Sequence, residues 1–184
     1  MTIDRNIEVR WARPDDALAI AQIGIDAWQT NYRGQIADST LQGLTLEVRF
    51  ADWQRRFEEG ARLLVAVVAD ELLGWVQVGG FRITEETRPE VARLAEEWGE
   101  LLAFYVAPSV QRGGVGTLLW HVARESLKAE GYRDVGLWTL STNAPAIRFY
   151  EACGFRDQRL DQSFEINGQP LVETLLGRSL ISEG

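Results

Sequence analysis

The sequence has little cysteine, histidine or positive charge. Its 184 residues include one cysteine and one histidine, and 19 Lys and Arg stand against 27 Asp and Glu, for a net charge of −8. The single cysteine, Cys153, excludes an internal disulfide and favours a reducing compartment. The single histidine, His121, lies mid-helix with no metal-binding or triad partners in view, so it is interpreted as structural. We therefore expect no metal.

Long apolar runs are also missing. No run approaches the length that crosses a bilayer, and the first residues, Met1–Arg5, lack the apolar core of a signal peptide. The negative net charge opposes binding to nucleic acid and mildly favours cationic partners such as amines. These absences predict a cytoplasmic protein with neither a nucleic-acid nor a membrane partner.

The length and composition of the chain fit one globular domain. Hydrophobic residues make up 46% of the chain and charged residues 25%, an ordinary globular balance. A chain of this size can bury a real core, so residues 1–184 are predicted to form a single domain, ordered over about 7–178.

Periodicity predicts one mixed α/β sheet with helices on its faces. An apolar strand, a helix and a second apolar strand imply a parallel pair with a right-handed crossover. The predicted strands are 7–11, 63–69 and 72–81 (a hairpin across Asp70-Glu71), 100–106, 134–140, one from Phe155 and 171–176, the last two joined by a turn at Asn167-Gly168. One predicted helix begins at Pro14, a second lies around 44–57, and two more span 114–130 and 143–153. Residues 84–99 are predicted to form a connection with a turn of helix.

The most informative stretch is Val110–Gly116, which follows the apolar strand 101–106 and precedes an amphipathic helix. A strand, a glycine-bearing turn and a helix start aim unpaired backbone N–H groups and the positive end of the helix dipole at one point. Such a point binds phosphate or pyrophosphate. The turn lacks the Gly-x-Gly-x-x-Gly spacing of a dinucleotide site and the Lys-Ser/Thr of a P-loop. A plain turn that needs glycine for a positive φ remains the alternative.

Two motifs in this order resemble the GNAT superfamily of N-acetyltransferases. The first is Gln111–Gly116 after Tyr105–Pro108, which matches Gln/Arg-x-x-Gly-x-Gly/Ala after a Tyr-Val-x-Pro-like stretch. The second motif, with the family's spacing, is formed by Asn143, Ala146, Tyr150, Gly154 and Phe155. The resemblance covers nearly the whole chain, and its N-terminal part looks like an uncharacterised bacterial branch.

The resemblance implies a fold and a cosubstrate. The fold is a single-domain, mostly antiparallel sheet of six to seven strands, with a central parallel pair, the fourth and fifth strands, splayed apart and helices on both faces. The cosubstrate is acetyl-CoA, with its pantetheine arm between the splayed strands. The cofactor-binding residues implied are Phe104, Val106, Gln111, Arg112, Gly113, Gly114, Val115, Gly116, Asn143 and Tyr150.

Attack on a thioester requires a neutral amine. An alkylammonium with a pKa near ~10.4 costs roughly 4–5 kcal/mol to deprotonate at neutral pH, and a general base recovers part of that cost. Glu100 is the predicted base, since it is the only charge in its strand and aligns with a glutamate that some family members use. A solvated carboxylate at a strand start is the alternative, and Glu96 and Glu97 are the fallback bases.

The leaving thiolate of coenzyme A also needs a proton. Tyr150 is predicted to donate it, and Asn143 lies on the same helix face at i−7. A core tyrosine is the alternative for Tyr150, and an N-cap is a rival or concurrent role for Asn143. Cys153 is interpreted as a small, buried apolar residue rather than a nucleophile.

The acceptor side is less defined. The loop after the first helix lines the acceptor pocket in similar proteins, so Trp28 and Tyr32 are predicted to contact the amine, with cation–π contact as a means of holding an ammonium. The predicted reaction is direct transfer of acetyl to a primary amine of a small molecule or peptide in a ternary complex. A non-catalytic acyl-CoA-binding sensor is the alternative, and a homodimer is expected because dimers are frequent among relatives. The sequence names neither the acceptor nor the acyl-chain length.

Overall fold

The structure is a computed structural model that describes residues 7–83 and 89–181. Its strands are β1 Glu8–Trp11, β2 Leu63–Val68, β3 Glu71–Gly80, β4 Trp98–Val106, β5 Asp134–Leu140, β6 Arg156–Ile166 and β7 Gln169–Ser179. Its α-helices are α1 Ala17–Asn31, α2 Asp38–Gln42, α3 Leu46–Glu58, α4 Pro89–Ala92, α5 Val115–Ala129 and α6 Ala144–Ala152.

The strands form one seven-stranded sheet in the order β1-β2-β3-β4-β5-β7-β6. The pairs β1/β2, β2/β3, β5/β7 and β6/β7 are antiparallel, and β4/β5 is parallel. The parallel register pairs Trp98–Glu100 with Asp134–Gly136, although the two strands continue to Val106 and Leu140. The predicted mixed, mostly antiparallel sheet with a parallel pair of its fourth and fifth strands is confirmed.

The chain divides into two compact units, and the first holds residues 7–77 and 103–122. Its core forms because β2 is apolar at all six positions and buried along its whole length, and α1 is apolar at most of its positions. The indole N–H of Trp75 donates to the Ile20 carbonyl at 3.1 Å, which satisfies the polar atom of a buried tryptophan. The fully or nearly buried members of this core are Ala17, Ile20, Ala21, Ile23, Trp53, Leu63, Val65, Val67 and Trp75.

The second unit holds residues 78–83, 89–102 and 123–181. Its distinctive packing feature is the indole of Trp98, which lies against two glycines that face each other across β5 and β7. Gly136 and Gly177 are paired in register, and a Cβ on either would approach the Trp98 ring, to 3.0 Å at Gly136 and 2.5 Å at Gly177. The absence of side chains at these two positions therefore makes room for the indole on the sheet.

Substitution of Gly177 by alanine is expected to destabilise the fold by about 1–3 kcal/mol, the usual cost of overpacking a core. The added methyl group would meet Trp98 Cη2 at 2.5 Å and Gln158 Cδ at 2.9 Å, and the indole is also confined at Gly136. Thermal unfolding should show a lower midpoint. Gly79→Ala is the matched control, because its methyl group would meet the flexible end of Leu102 at 3.1 Å; equal midpoints for the two variants would contradict the packing argument.

Several predicted bounds need correction. The β2–β3 hairpin turns at Ala69-Asp70, both with positive φ (46° and 68°), rather than at Asp70-Glu71, and Glu71 already belongs to β3. β4 begins at Trp98, two residues before Glu100, because pairing with β5 starts there. The predicted connection 84–99 lies outside the described residues over 84–88; the turn of helix predicted in it is present as α4 and a 3-10 helix at Arg93–Glu96, but its last two residues belong to β4. The Asn167-Gly168 turn is confirmed, with φ of 49° and 82°.

Candidate active site

The turn between β4 and α5 contains two residues in the left-handed backbone region and leads into the start of a helix. Arg112 and Gly114 have positive φ, 61° and 86°, on either side of Gly113. The first helical hydrogen bond of α5 runs from the Leu118 N–H to the Gly114 carbonyl at 3.0 Å. The N–H groups of the three residues before Leu118 therefore have no acceptor within the helix, and they lie at the positive end of its dipole.

This turn is open on its outer side and anchored on its inner side. Gln111, Arg112, Gly113 and Gly114 are exposed, whereas Val115 is buried. A Cβ at Gly114 would meet nothing within 4 Å, so a ligand can approach this backbone closely. The Gly113 N–H already donates to the Val110 carbonyl at 3.2 Å. Gly113 thus shapes the turn, and Gly114, Val115 and Gly116 are its better placed donors.

The end of β4 leads directly into this turn. Phe104, Tyr105 and Val106 are all half-buried, and the Gln111 amide donates to the Val106 carbonyl at 3.4 Å, across the turn. The neighbouring strand comes unusually close, since a Cβ at Gly74 would lie 2.8 Å from the Tyr105 carbonyl oxygen. The strand end that was predicted to contribute main chain and the loop that was predicted to contribute amides are therefore contiguous.

Trp28 and Tyr32 lie together at the end of α1. Their rings meet edge to face at 5.0 Å, and the Trp28 indole N–H donates to the Tyr105 hydroxyl at 2.8 Å. The guanidinium of Arg49, on α3, lies over the Trp28 ring at 6.0 Å from its centroid. A cation of the chain itself thus already lies near the aromatic face that was predicted to hold an ammonium.

In the second unit, Asn143 and Tyr150 lie at the two ends of α6. Asn143 is 6% exposed, and its side-chain oxygen accepts from the Ala146 N–H at 3.3 Å, so the predicted N-cap role is confirmed. Tyr150 is buried, with its ring 5.3 Å from that of Phe149 and 5.6 Å from that of Phe155. The structure therefore gives Tyr150 a packing role, and its predicted proton-donor role stays a prediction.

Glu100 differs from the solvated carboxylate considered as the alternative. It is 0% exposed, and both of its oxygens accept hydrogen bonds from Arg82, the second residue after β3. The Arg82 backbone N–H donates to Oε2 at 2.8 Å, Nη2 donates to Oε1 at 2.6 Å, and Nε lies 3.1 and 3.2 Å from the two oxygens. Such charge-assisted, forked contacts are among the strongest available to a carboxylate.

A second carboxylate that sequence reasoning missed belongs to the same cluster. Glu173, on β7, is half-buried, and its Oε2 accepts from the Gln162 amide at 3.1 Å. Burial raises the pKa of Glu173 above its ordinary value, as does the charge of Glu100, while the Gln162 bond and the Arg82 charge act in the opposite direction. No local motif marks Arg82 or Glu173, since strand pairing brings them near Glu100.

The remaining candidates do not form a site. His121 is exposed on α5, and within the described residues no group of three or more His, Cys, Asp and Glu could hold a metal ion. Cys153 is half-buried and reduced, burial raises the pKa of its thiol, and its carbonyl accepts from Arg178. In the part of the chain that the structure describes, no helix is both long and apolar enough to cross a membrane.

The family model and two relatives that match this chain are all acetyltransferases. The Acetyltransferase (GNAT) family matches residues 25–155. The chain is 30% identical over 175 residues to the uncharacterized N-acetyltransferase YuaI of Bacillus subtilis (strain 168), covering 93% of this chain and 92% of that protein. It is also 31% identical to the mycothiol acetyltransferase of Acidothermus cellulolyticus, covering 91% of this chain but 50% of that protein.

Solved structures share the fold. A GCN5-related N-acetyltransferase from Rhodopseudomonas palustris superposes with a TM-score of 0.72 at 19% identity, covering 94% of each chain. The structure of yncA from Salmonella typhimurium with its cofactor acetyl-CoA has a TM-score of 0.67 at 20% identity, covering 96% of this chain and 95% of that one.

The chain is thus an acyltransferase of the class that uses acetyl-CoA as cosubstrate. Because the family match spans most of its length, it belongs to the GNAT family of acetyltransferases. The resemblance carried by the Gln111–Gly116 turn and the Asn143–Phe155 motif is confirmed at the level of the family.

Proposed function

We propose that this protein transfers the acetyl group of acetyl-CoA to a primary amine by direct attack in a ternary complex. The observation that carries the proposal is the turn at Gly114, which has a positive φ of 86°, an open outer side and, at the following helix start, main-chain N–H groups with no acceptor within the helix. The pyrophosphate would bind to the N–H groups of Gly114, Val115 and Gly116. Arg112, which is exposed, adds positive charge beside them.

The pantetheine arm would pair its amides with the main chain of β4 near Phe104 and Val106. This is the addition of a ligand as an extra strand, and it needs main chain rather than polar side chains. Half-buried apolar side chains at both positions fit this role. A main-chain N–H of β4 would also stabilise the oxyanion that forms when the amine attacks the thioester carbonyl.

Tyr150 would give the departing thiolate its proton, and Asn143 would hold the start of α6 in place through its cap. A phenol suits the task because a bare thiolate in a dry cleft is costly. The proposed acceptor is a small-molecule or peptide amine, and the net charge of −8 supports a cationic one. The single cysteine supports a cytoplasmic location.

The test combines binding with turnover. Acetyl-CoA at about 100 times its Kd should raise the free energy of unfolding by about 2.7 kcal/mol, which thermal unfolding detects. A panel of polyamines, amino acids, aminoglycosides and short peptides, each with acetyl-CoA, should include at least one amine that releases free thiol above background. A tertiary amine of similar size is the negative control. Stabilisation without thiol release across the panel would favour an acyl-CoA-binding sensor instead.

A further inference from the structure

Glu100, the carboxylate that the sequence puts forward as the base, is poorly placed to receive a proton. It is 0% exposed, and three donors of Arg82 occupy its two oxygens at 2.6–3.2 Å. A proton could reach it only if this ion pair opened. The Arg82 side chain is 59% exposed, but its departure would leave the charge of the fully buried Glu100 without these donors, which is costly. The geometry fits a carboxylate that anchors Arg82.

Glu173, in contrast to Glu100, is partly accessible and has an oxygen that can still accept a proton. It is half-buried rather than enclosed, one oxygen accepts from Gln162, and no hydrogen bond from the described residues reaches its Oε1. A proton acceptor needs a carboxylate oxygen that can accept a further hydrogen bond and that a substrate can reach, and Oε1 of the partly accessible Glu173 meets both conditions.

Glu173 also lies at the end of the sheet where α6 begins. It pairs in register with Leu140, the last residue of β5, and the next residue, Ser141, donates its N–H to the Val172 carbonyl at 2.9 Å. The chain then reaches Asn143 and the helix that carries Tyr150. The parallel register of β5 with β4 ends at Gly136, whereas β5 continues to Leu140, so Glu173 lies beside the part of β5 beyond that register.

Groups on three other segments of the chain act on Glu173. Gln162 of β6 donates to it, and Arg82, after β3, and Glu100, on β4, act on it through their charges. The residue opposite it on β5, Leu140, is apolar. Burial is the largest influence and raises its pKa, so Glu173 is a stronger proton acceptor than an ordinary glutamate.

We propose that Glu173 is the catalytic residue that accepts the proton of the acceptor amine, and that Glu100 is a positioning residue that holds the guanidinium of Arg82. The proposal rests on the proposed acetyltransferase function and assigns a residue to it that neither motif contains.

The reaction balances with these groups. The Glu173 carboxylate takes one proton from the ammonium, and the neutral nitrogen then attacks the thioester carbonyl carbon with its lone pair. The C–S bond breaks, the sulfur leaves with the bonding electrons, and the Tyr150 phenol gives it a proton. The new amide nitrogen loses its extra proton, which restores the phenol through solvent. Glu173 returns its proton to bulk water, so one proton is released for each acetyl group transferred.

The decisive variant is Glu173→Gln, assayed with the panel amine that wild type turns over best. We expect kcat/KM to fall by about a hundredfold, the lower range for a lost general base, while the Kd for acetyl-CoA stays unchanged. In wild type kcat/KM should rise with pH through a pKa above the ordinary glutamate range, and this acidic limb should vanish in the variant. Glu165→Gln, an exposed glutamate on β6, is the matched control and should behave as wild type.

The variant Glu100→Gln distinguishes the role of Glu100 from that of Glu173. Removal of the Glu100 charge takes away one influence that raises the Glu173 pKa and frees Arg82 to pair with Glu173, so the acidic limb should move to lower pH rather than disappear. Loss of the limb in Glu100→Gln with its retention in Glu173→Gln would overturn the assignment and make Glu100 the base. Unchanged kcat/KM in Glu173→Gln would overturn it as well.

Folding and function are also separable. A glutamate whose pKa is raised in the folded state lowers stability as the pH rises from its ordinary pKa through the raised one. At pH 7 to 8 a neutral glutamine should therefore leave the unfolding midpoint equal or higher, so a loss of activity cannot be ascribed to unfolding. Absence of turnover with every amine in wild type would instead remove the proposed function, and this inference with it.

Discussion

Gly114→Val is expected to weaken acetyl-CoA binding by at least about a hundredfold. The φ of 86° at this position lies in the left-handed region, where a β-branched residue is strained. Strain would shift the Val115 and Gly116 N–H groups from their wild-type positions, and the new side chain would stand where the pyrophosphate is proposed to approach. Titration calorimetry with acetyl-CoA measures the loss directly, as a change in Kd.

A control for strain alone lies just after the same helix. Gly131, just beyond the end of α5, has a φ of 92°, and a Cβ there would also meet nothing within 4 Å. Gly131→Val should therefore lower the free energy of unfolding about as much as Gly114→Val does, while it leaves the Kd for acetyl-CoA near the wild-type value. Equal Kd values for the two variants would place the diphosphate elsewhere and remove the turn from the cofactor site.

The local parts of this fold could be predicted because short-range chemistry determines them. The Asn143 cap and the Asn167-Gly168 turn depend on residues within a few positions, and both were predicted at the right place. The β2–β3 turn was predicted one residue late, because Ala69 has no obvious preference for its observed φ of 46°.

The long-range parts could not be predicted in the same way. Arg82 lies between the predicted strand 72–81 and the predicted connection 84–99, and only the arrangement of β4 beside the end of β3 brings its guanidinium to Glu100. Glu173 is one polar position in a strand, and its burial depends on the β5–β7 register. The choice of Glu100 from its strand therefore came without Arg82 and Glu173, which only the fold relates to it.

Tyr150→Phe is expected to lower kcat by about a thousandfold, within the range for loss of positioned acid catalysis. The variant removes one hydroxyl group and keeps the ring, so the contacts with Phe149 and Phe155 at 5.3 and 5.6 Å should persist. The Kd for acetyl-CoA should change little, because the pyrophosphate and the pantetheine are proposed to bind main chain. Steady-state assays of thiol release with the best panel amine give kcat.

The matched control is Tyr132→Phe, which deletes the same hydroxyl group from another tyrosine of the second unit. Its hydroxyl lies beside Gly80, where an added Cβ would meet it at 3.1 Å, and its ring packs near Gly99. If Tyr150 protonates the thiolate, its variant should recover activity with acetyl donors whose thiol is more acidic, since such a thiol leaves without a proton, and Tyr132→Phe should resemble wild type with every donor. A Tyr150→Phe enzyme with wild-type kcat would leave Tyr150 as a core residue packed between two phenylalanines, and the leaving thiolate would then take its proton from another group.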